Sequence, residues 1–128
     1  MIYNLVKDYR IRPFQDGDEA EIVQLLQSAF EGWPKCDLKC DSLDHWIWKH
    51  QDNPQGPSLV AVGVGDSKII GSDHLAFMRI KIGDRIFLSG SSMDTAVHPD
   101  FRRIGVMKRV TDLTRELRKD TEARFLYF

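Results

Sequence analysis

Val97-His98-Pro99-Asp100-Phe101-Arg102-Arg103-Ile104-Gly105-Val106-Met107 decides how the whole chain is read. A strand-like run, Ser91 to Val97, enters this stretch, and a helix-like run reaching about Lys119 leaves it. A strand that turns through Pro99 and two arginines into a helix, with Gly105 in the first turn, aims backbone N–H groups at one spot. The first turn of a helix carries unpaired N–H donors and the positive end of the dipole. The stretch is therefore a place for a phosphate.

Downstream, the expected helix runs from about Arg103 to Lys119, with Met107, Val110, Leu113, Thr114 and Leu117 as its apolar stripe. Seven basic residues lie between Phe101 and Lys119, opposed only by Asp112 and Glu116, while the rest of the chain is acidic. Arg124 to Phe128 reads as a final strand, apolar and aromatic. At a bare sheet edge such a strand would be an aggregation liability. It is expected to be flanked on both sides by this chain, or completed by a following segment or another subunit.

Upstream, three strand candidates form an antiparallel meander: Ser58 to Val64, Lys68 to Ile82 and Arg85 to Val97. Gly83-Asp84 is a strong two-residue hairpin signal between the last two. Before them lie two helices. The first has Asp16 as expected N-cap with Glu19 three residues on, then Ile22, Leu25, Leu26, Ala29 and Phe30 at helical spacing. Ser42 is the expected cap of the second, which places Leu43, Trp46, Ile47 and His50 on one face and stops at Asn53-Pro54. Tyr9 to Phe14 reads as a short first strand, at an edge because of Pro13. The order is β-α-α-β-β-β-α-β. It makes an α+β, or mixed α/β, domain around one mixed, mostly antiparallel sheet, whose last strand can lie parallel to the strand before the final helix.

A chain of 128 residues with a formal net charge of −1 is one domain's worth and advertises neither a nucleic-acid nor a membrane partner. No apolar run approaches membrane-spanning length, and the first seven residues hold no apolar leader segment. With only Cys36 and Cys40 present, a reducing, cytoplasmic setting is the expectation.

Arg102-Arg103-Ile104-Gly105-Val106-Met107, with the Val-x-Pro-x-aromatic pattern before it, resembles the cofactor-binding motif of the GNAT N-acetyltransferases. In that motif an Arg or Gln, two variable residues, Gly, another variable residue and Gly or Ala follow in turn. The element order is also similar to the first two-thirds of that fold. Asn53-Pro54-Gln55-Gly56 after a Trp-bearing helix looks like a subgroup of larger acetyltransferases. There are two departures. Met107 stands where the motif has Gly or Ala. The family's fold also normally continues past the strand at 124–128 with a helix and two strands, often holding a Tyr that protonates the leaving thiolate. The resemblance therefore implies a GNAT-like domain, residues 1–128, lacking C-terminal elements, and Tyr127 does not match that Tyr.

The resemblance implies an acetyl-CoA-dependent N-acetyltransferase acting on a primary amine, small molecule or peptide, without a metal. Backbone amides from Arg103 through Ile104, Gly105, Val106 and Met107 to Lys108 would meet the pyrophosphate, with charge from Arg102, Arg103 and Lys108. The backbone edge Thr95-Ala96-Val97 would pair with pantetheine, and an N–H near Val97 would polarise the thioester carbonyl. For the proton of the amine, Asp94 is the first catalytic candidate, with His98 and His74 behind it. The sequence leaves the face of each open, since a bulge would reverse it.

Other readings carry less. The spacing Cys36-x3-Cys40-x4-His45-x4-His50 fits common zinc sites poorly, and the cysteines read as free loop thiols. The basic helix has no aromatic stacking pattern beside it. The rival from another class is a non-catalytic CoA-binding or interaction module, completed as a homodimer through the C-terminal strand.

Overall fold

A computed structural model describes residues 7–37 and 39–127, with Tyr127 described by its backbone alone. Its elements are β1 (Arg10–Pro13), α1 (Glu19–Ala29), α2 (Ser42–Trp46), β2 (Leu59–Gly65), β3 (Lys68–Ile82), β4 (Arg85–Val97), α3 (Val106–Arg118) and β5 (Phe125–Tyr127). A π-helical turn, Ile47–Gln51, prolongs α2, and a 3-10 turn, Pro99–Phe101, precedes α3. The strands lie in the order β1-β2-β3-β4-β5. All pairs are antiparallel except β4 with β5, which is parallel and spans only Ser89–Ser91 against Phe125–Tyr127. The expected element order, meander, two-residue turn at Gly83-Asp84 and parallel last strand are all present; Phe128 lies outside the described residues.

Strand alternation sends apolar residues to both faces. Val60 and Val62 pack with Ile22, Leu26 and Trp46 of α1 and α2, while Ala61, Ile70 and Val97 pack with Phe101, Val106 and Val110 on the α3 side. Each Val or Phe so buried contributes about 1.5–3 kcal/mol. Close approach of α3 depends on Gly71, where an added Cβ would stand 2.5 Å from Val106 Cγ1.

Three helix starts differ from expectation. The N-cap of α1 is Asp18, not Asp16. The Asp18 carboxylate does not cap: it accepts from the Gln15 N–H (2.8 Å) and pairs with Arg12 through two bonds of 2.7 and 3.0 Å. That fork holds the Asp18 carboxyl below its ordinary range. The cap of α2 is Asp41, accepting from the Asp44 N–H (2.8 Å), since Ser42 Oγ donates instead to the Trp33 carbonyl (2.9 Å). Finally, α3 begins at Val106 rather than near Arg103. Arg103 and Gly105 have φ of +67° and +91°, which no right-handed helix accommodates.

That shift changes the buried stripe of α3. Val106, Val110 and Thr114 face the sheet at four-residue spacing, whereas Met107 is 52% exposed and lies off the core face.

Candidate active site

The end of β4, the loop after it and the first turn of α3 line one cleft of about 410 Å3. Thr95, Ala96 and Val97 form one wall, Arg102, Arg103, Gly105, Val106, Met107 and Lys108 another, and Ala29 with Phe30 from the end of α1 a third. The structure thus gathers every residue expected to meet a CoA except Ile104, which does not line the cleft. The Ile104 carbonyl accepts a hydrogen bond from Tyr9 Oη (2.8 Å), and the Arg109 guanidinium lies 5.1 Å from the Tyr9 ring. These contacts fasten the loop and the head of α3 to Tyr9, the residue just before β1.

The first turn of α3, which lines the cleft, leaves N–H groups without helical partners. Arg109 N–H donates to the Gly105 carbonyl (3.1 Å) as the first intrahelical bond, so the amides of Val106, Met107 and Lys108 have no helical acceptor. Gly105 can hold its left-handed φ because it has no Cβ. Two of the expected cations are partly engaged. Arg102 Nε donates to the Val97 carbonyl (3.0 Å), and Lys108 Nζ sits 2.6 Å from Asp112. Arg103 is exposed and has no partner among the described residues.

The β4 wall is an open strand edge. β5 covers β4 only from Ser89 to Ser91, so from Ser92 onward that edge has no strand partner among the described residues. His98 N–H donates to the Ile70 carbonyl of β3 (2.7 Å), while the Val97 carbonyl turns the other way, to Arg102. In an extended strand the N–H and C=O of one residue share an edge and alternate with the next residue. The N–H of Val97 therefore faces the cleft.

Asp94 lies just before that edge. β4 carries a bulge there: Met93 pairs with His74 and Ala96 with Ser72, so Asp94 and Thr95 together oppose Asp73. Asp94 has φ +51°. Its carboxylate accepts from Trp33 Nε1 (2.9 Å), Lys49 Nζ (2.8 Å) and His50 Nε2 (2.8 Å). Burial works to raise the Asp94 carboxyl, but those three hydrogen bonds and the Lys49 charge outweigh it and hold the group far below its ordinary value.

Behind Asp94 lie two neutral histidines, stacked with centroids 4.2 Å apart. His74 Nε2 accepts from Trp46 Nε1 (2.9 Å), so Nδ1 carries the proton and donates to the Asp94 carbonyl (3.1 Å). Burial, aided by His50, pushes His74 down to about 3. His50 is also lowered, chiefly by burial against the opposing pull of Asp94. Its Nδ1 is 2.8 Å from Ser58 Oγ, so both its ring nitrogens are engaged. Cys36 and Cys40 are exposed free thiols, and among the described residues no three potential ligands group for a metal.

The remaining candidate lies elsewhere. His98 Nδ1 accepts from the Asp100 N–H (3.1 Å), capping the 3-10 turn, and its side chain borders a groove with Glu21, Gln24 and Lys68 rather than the cleft. A larger concavity of about 530 Å3, lined by residues of β1 and the β2–β3 turn, contains none of the expected site residues.

A family model described as acetyltransferase (GNAT) domain matches residues 10–127. The chain belongs to this family. Solved structures similar to it include a predicted acetyltransferase with acetyl-CoA from Clostridium acetobutylicum, with TM-score 0.73, 14% identity and coverage of 94% of this chain and 79% of the other. Glucosamine-6-phosphate N-acetyltransferase from Arabidopsis thaliana superposes with TM-score 0.69 at 14% identity, covering 94% and 81%. An aminoglycoside acetyltransferase from an uncultured soil metagenomic sample, in complex with sisomicin, gives 0.65 at 17% identity, covering 93% and 75%. No curated protein matches the chain. These likenesses establish the GNAT fold. Among the described residues no helix is long and apolar enough to cross a membrane.

The residues of the cleft fit acetyl-CoA. Unpaired amides at the head of α3 suit a pyrophosphate, and the open β4 edge suits the amides of a pantetheine arm. Sequence reasoning did not foresee Trp33, Lys49 or His50 as donors to Asp94, nor Asp73 as the carboxylate that Thr95 bonds across the sheet. The only signal for His50 was its place on the buried face of its helix; nothing local marks the other three.

Proposed function

We propose that this GNAT domain binds acetyl-CoA in the cleft between the end of β4 and the head of α3, and transfers the acetyl group to a primary amine. One observation carries the reading: the open Thr95–Val97 edge and the donor-rich turn at 105–108 line the same cleft.

Acetyl-CoA supplies a thioester, whose acetyl group passes to the amine nitrogen as the C–S bond breaks and the CoA thiol leaves. The chain's residues bind and orient. The amides of Val106, Met107 and Lys108, with Arg103, take the phosphates. Thr95–Val97 pair with the arm, and the Val97 N–H polarises the carbonyl where negative charge develops. Arg102, bonded to the Val97 carbonyl, holds that peptide in place. The acceptor is a primary amine of a small molecule or peptide. The similar structures act on acceptors as different as an amino sugar phosphate and an aminoglycoside, so the fold itself selects neither.

Titration calorimetry with acetyl-CoA, dephospho-CoA and pantetheine tests the cofactor. Acetyl-CoA is expected to bind best, and no heat with any of the three rejects the reading. Release of free CoA with a panel of primary amines then tests the transfer. Binding without release on every amine would leave a CoA-binding module in place of an enzyme.

A further inference from the structure

We infer that Asp94 is a positioning residue rather than the proton acceptor of the reaction: Trp33, Lys49 and His50 clamp its carboxylate so that the β4 bulge turns Thr95–Val97 toward the cleft. The inference rests on the acetyl-CoA reading for its consequence, not for its geometry.

A base must offer the amine a free lone pair, and its conjugate acid must titrate near the working pH. Asp94 meets both needs poorly, since three donors already fill three of its roughly four lone pairs. One carboxylate oxygen accepts from Trp33, the other from both Lys49 and His50, and only 11% of the side chain is exposed. Its donors, and the charge of Lys49, keep it ionised far below neutral pH.

The clamp has a different use. A non-glycine residue at φ +51° is strained by about 1–2 kcal/mol and persists only where its surroundings over-determine it. Three donors from two separate segments, the 33 loop and the π-helical turn after α2, converge on the side chain. His74 holds its carbonyl from β3. Met93 shares a cavity wall with Lys49, and Asp94 binds Lys49, so two successive residues sit on one face. Alternation resumes with Thr95, whose Oγ1 donates to Asp73 (2.7 Å) on the α3 face. The bulge thus resets which backbone groups of residues 95–97 face the open edge. Without it, the Val97 N–H would turn toward β3.

The test uses the intact 128-residue chain and three variants, Lys49→Met, Trp33→Phe and Asp94→Asn. Each is titrated with acetyl-CoA and with adenosine 3′,5′-bisphosphate, the nucleotide half without the arm. Loosening the clamp is expected to weaken acetyl-CoA about tenfold in Lys49→Met and Asp94→Asn, the scale of one charge-assisted hydrogen bond. The nucleotide half should stay within about twofold, because its loop is fastened to Tyr9 instead. Equal losses for both ligands, or unchanged acetyl-CoA binding in Lys49→Met, would overturn the assignment. The pH profile of kcat/KM separates the roles a second time. Removing Lys49 raises the Asp94 carboxyl, so a base at Asp94 would carry the acidic limb upward, whereas a positioning residue leaves the limb where it was. Should the wild type not bind acetyl-CoA, the proposed function fails by itself, and hydrogen exchange in the free protein at His98, whose N–H is bonded to the Ile70 carbonyl beyond the bulge, decides the clamp. Faster exchange there in Lys49→Met, with central β3 unchanged, supports it, and identical exchange rejects it.

Discussion

Asp94 and Asp73 grip one bulge of β4 from opposite faces of the sheet. Asp94 reaches the π-helical turn after α2, and Asp73, fully buried, reaches α3 through Thr114 Oγ1 (2.5 Å). Ser92 and Thr95 of β4 also donate to Asp73. A buried carboxylate is tolerable only when its oxygens are satisfied. Here the satisfied pair ties both helical layers to the strand that carries the cleft.

Thr114→Val removes one of the three hydroxyls on Asp73 while keeping the shape. It should lower stability by about 1–3 kcal/mol, the cost of under-satisfying a buried acceptor. Thr114→Ser, which retains the hydroxyl, should lose less. Urea denaturation of the two variants against wild type measures the difference.

Gly71→Ala pushes a methyl to 2.5 Å from Val106 Cγ1. Overpacking of this kind costs about 1–3 kcal/mol. In a Val106→Ala background the clash disappears, so the double variant should be more stable than the sum of the two losses. A double-mutant cycle on thermal unfolding reads that coupling.

Gly105→Ala puts a side chain at φ +91°. Strain of about 1–2 kcal/mol is expected, together with weaker acetyl-CoA binding as the loop amides reorient. Gly105→Asn should fall between, since Asn tolerates the left-handed region better than Ala. Calorimetry and thermal melts on the same samples test both parts.

Met107→Ala tests the one departure from the motif. The side chain is half exposed on the cleft wall, so stability should stay within about 0.5 kcal/mol of wild type. Acetyl-CoA should bind more tightly through the closer approach. Weaker binding on titration would show the thioether to be a contact rather than an obstruction.

The stability of the fold should fall in acid well before carboxylates titrate. His74 is lowered from 6.5 to about 3, and His50 is lowered as well. Between those limits the unfolded chain takes up a proton that folded His74 refuses. Its stabilising effect is therefore complete above pH 6.5 and is lost as pH falls toward 3, at about 1.4 kcal/mol per pH unit. Asp94, also lowered, adds its own loss below 3.8. In His74→Gln, which can accept from Trp46 and donate to Asp94 without titrating, chemical denaturation at pH 7 and pH 5 should differ less than in wild type.

Much of this was legible from residues close together in the chain. The alternation of β3 and β4, the turn at Gly83-Asp84 and the strand-Pro-Arg-Gly-helix passage at 97–107 are local patterns, and they set the element order, the sheet and the cleft. Helix starts were harder, because Asp16 and Asp18, or Asp41 and Ser42, are equally good caps until a distant partner such as Arg12 or Trp33 engages one of them. The face of Met107 followed from the helix start in the same way. What only the tertiary structure decided is the role of Asp94. Its orientation depends on a bulge with a left-handed residue, a conformation disfavoured locally and held by Trp33, Lys49, His50 and His74, from as far as 61 positions away. A short-range pattern records the preferences of neighbouring residues. It cannot record a strained backbone that only distant side chains hold in place.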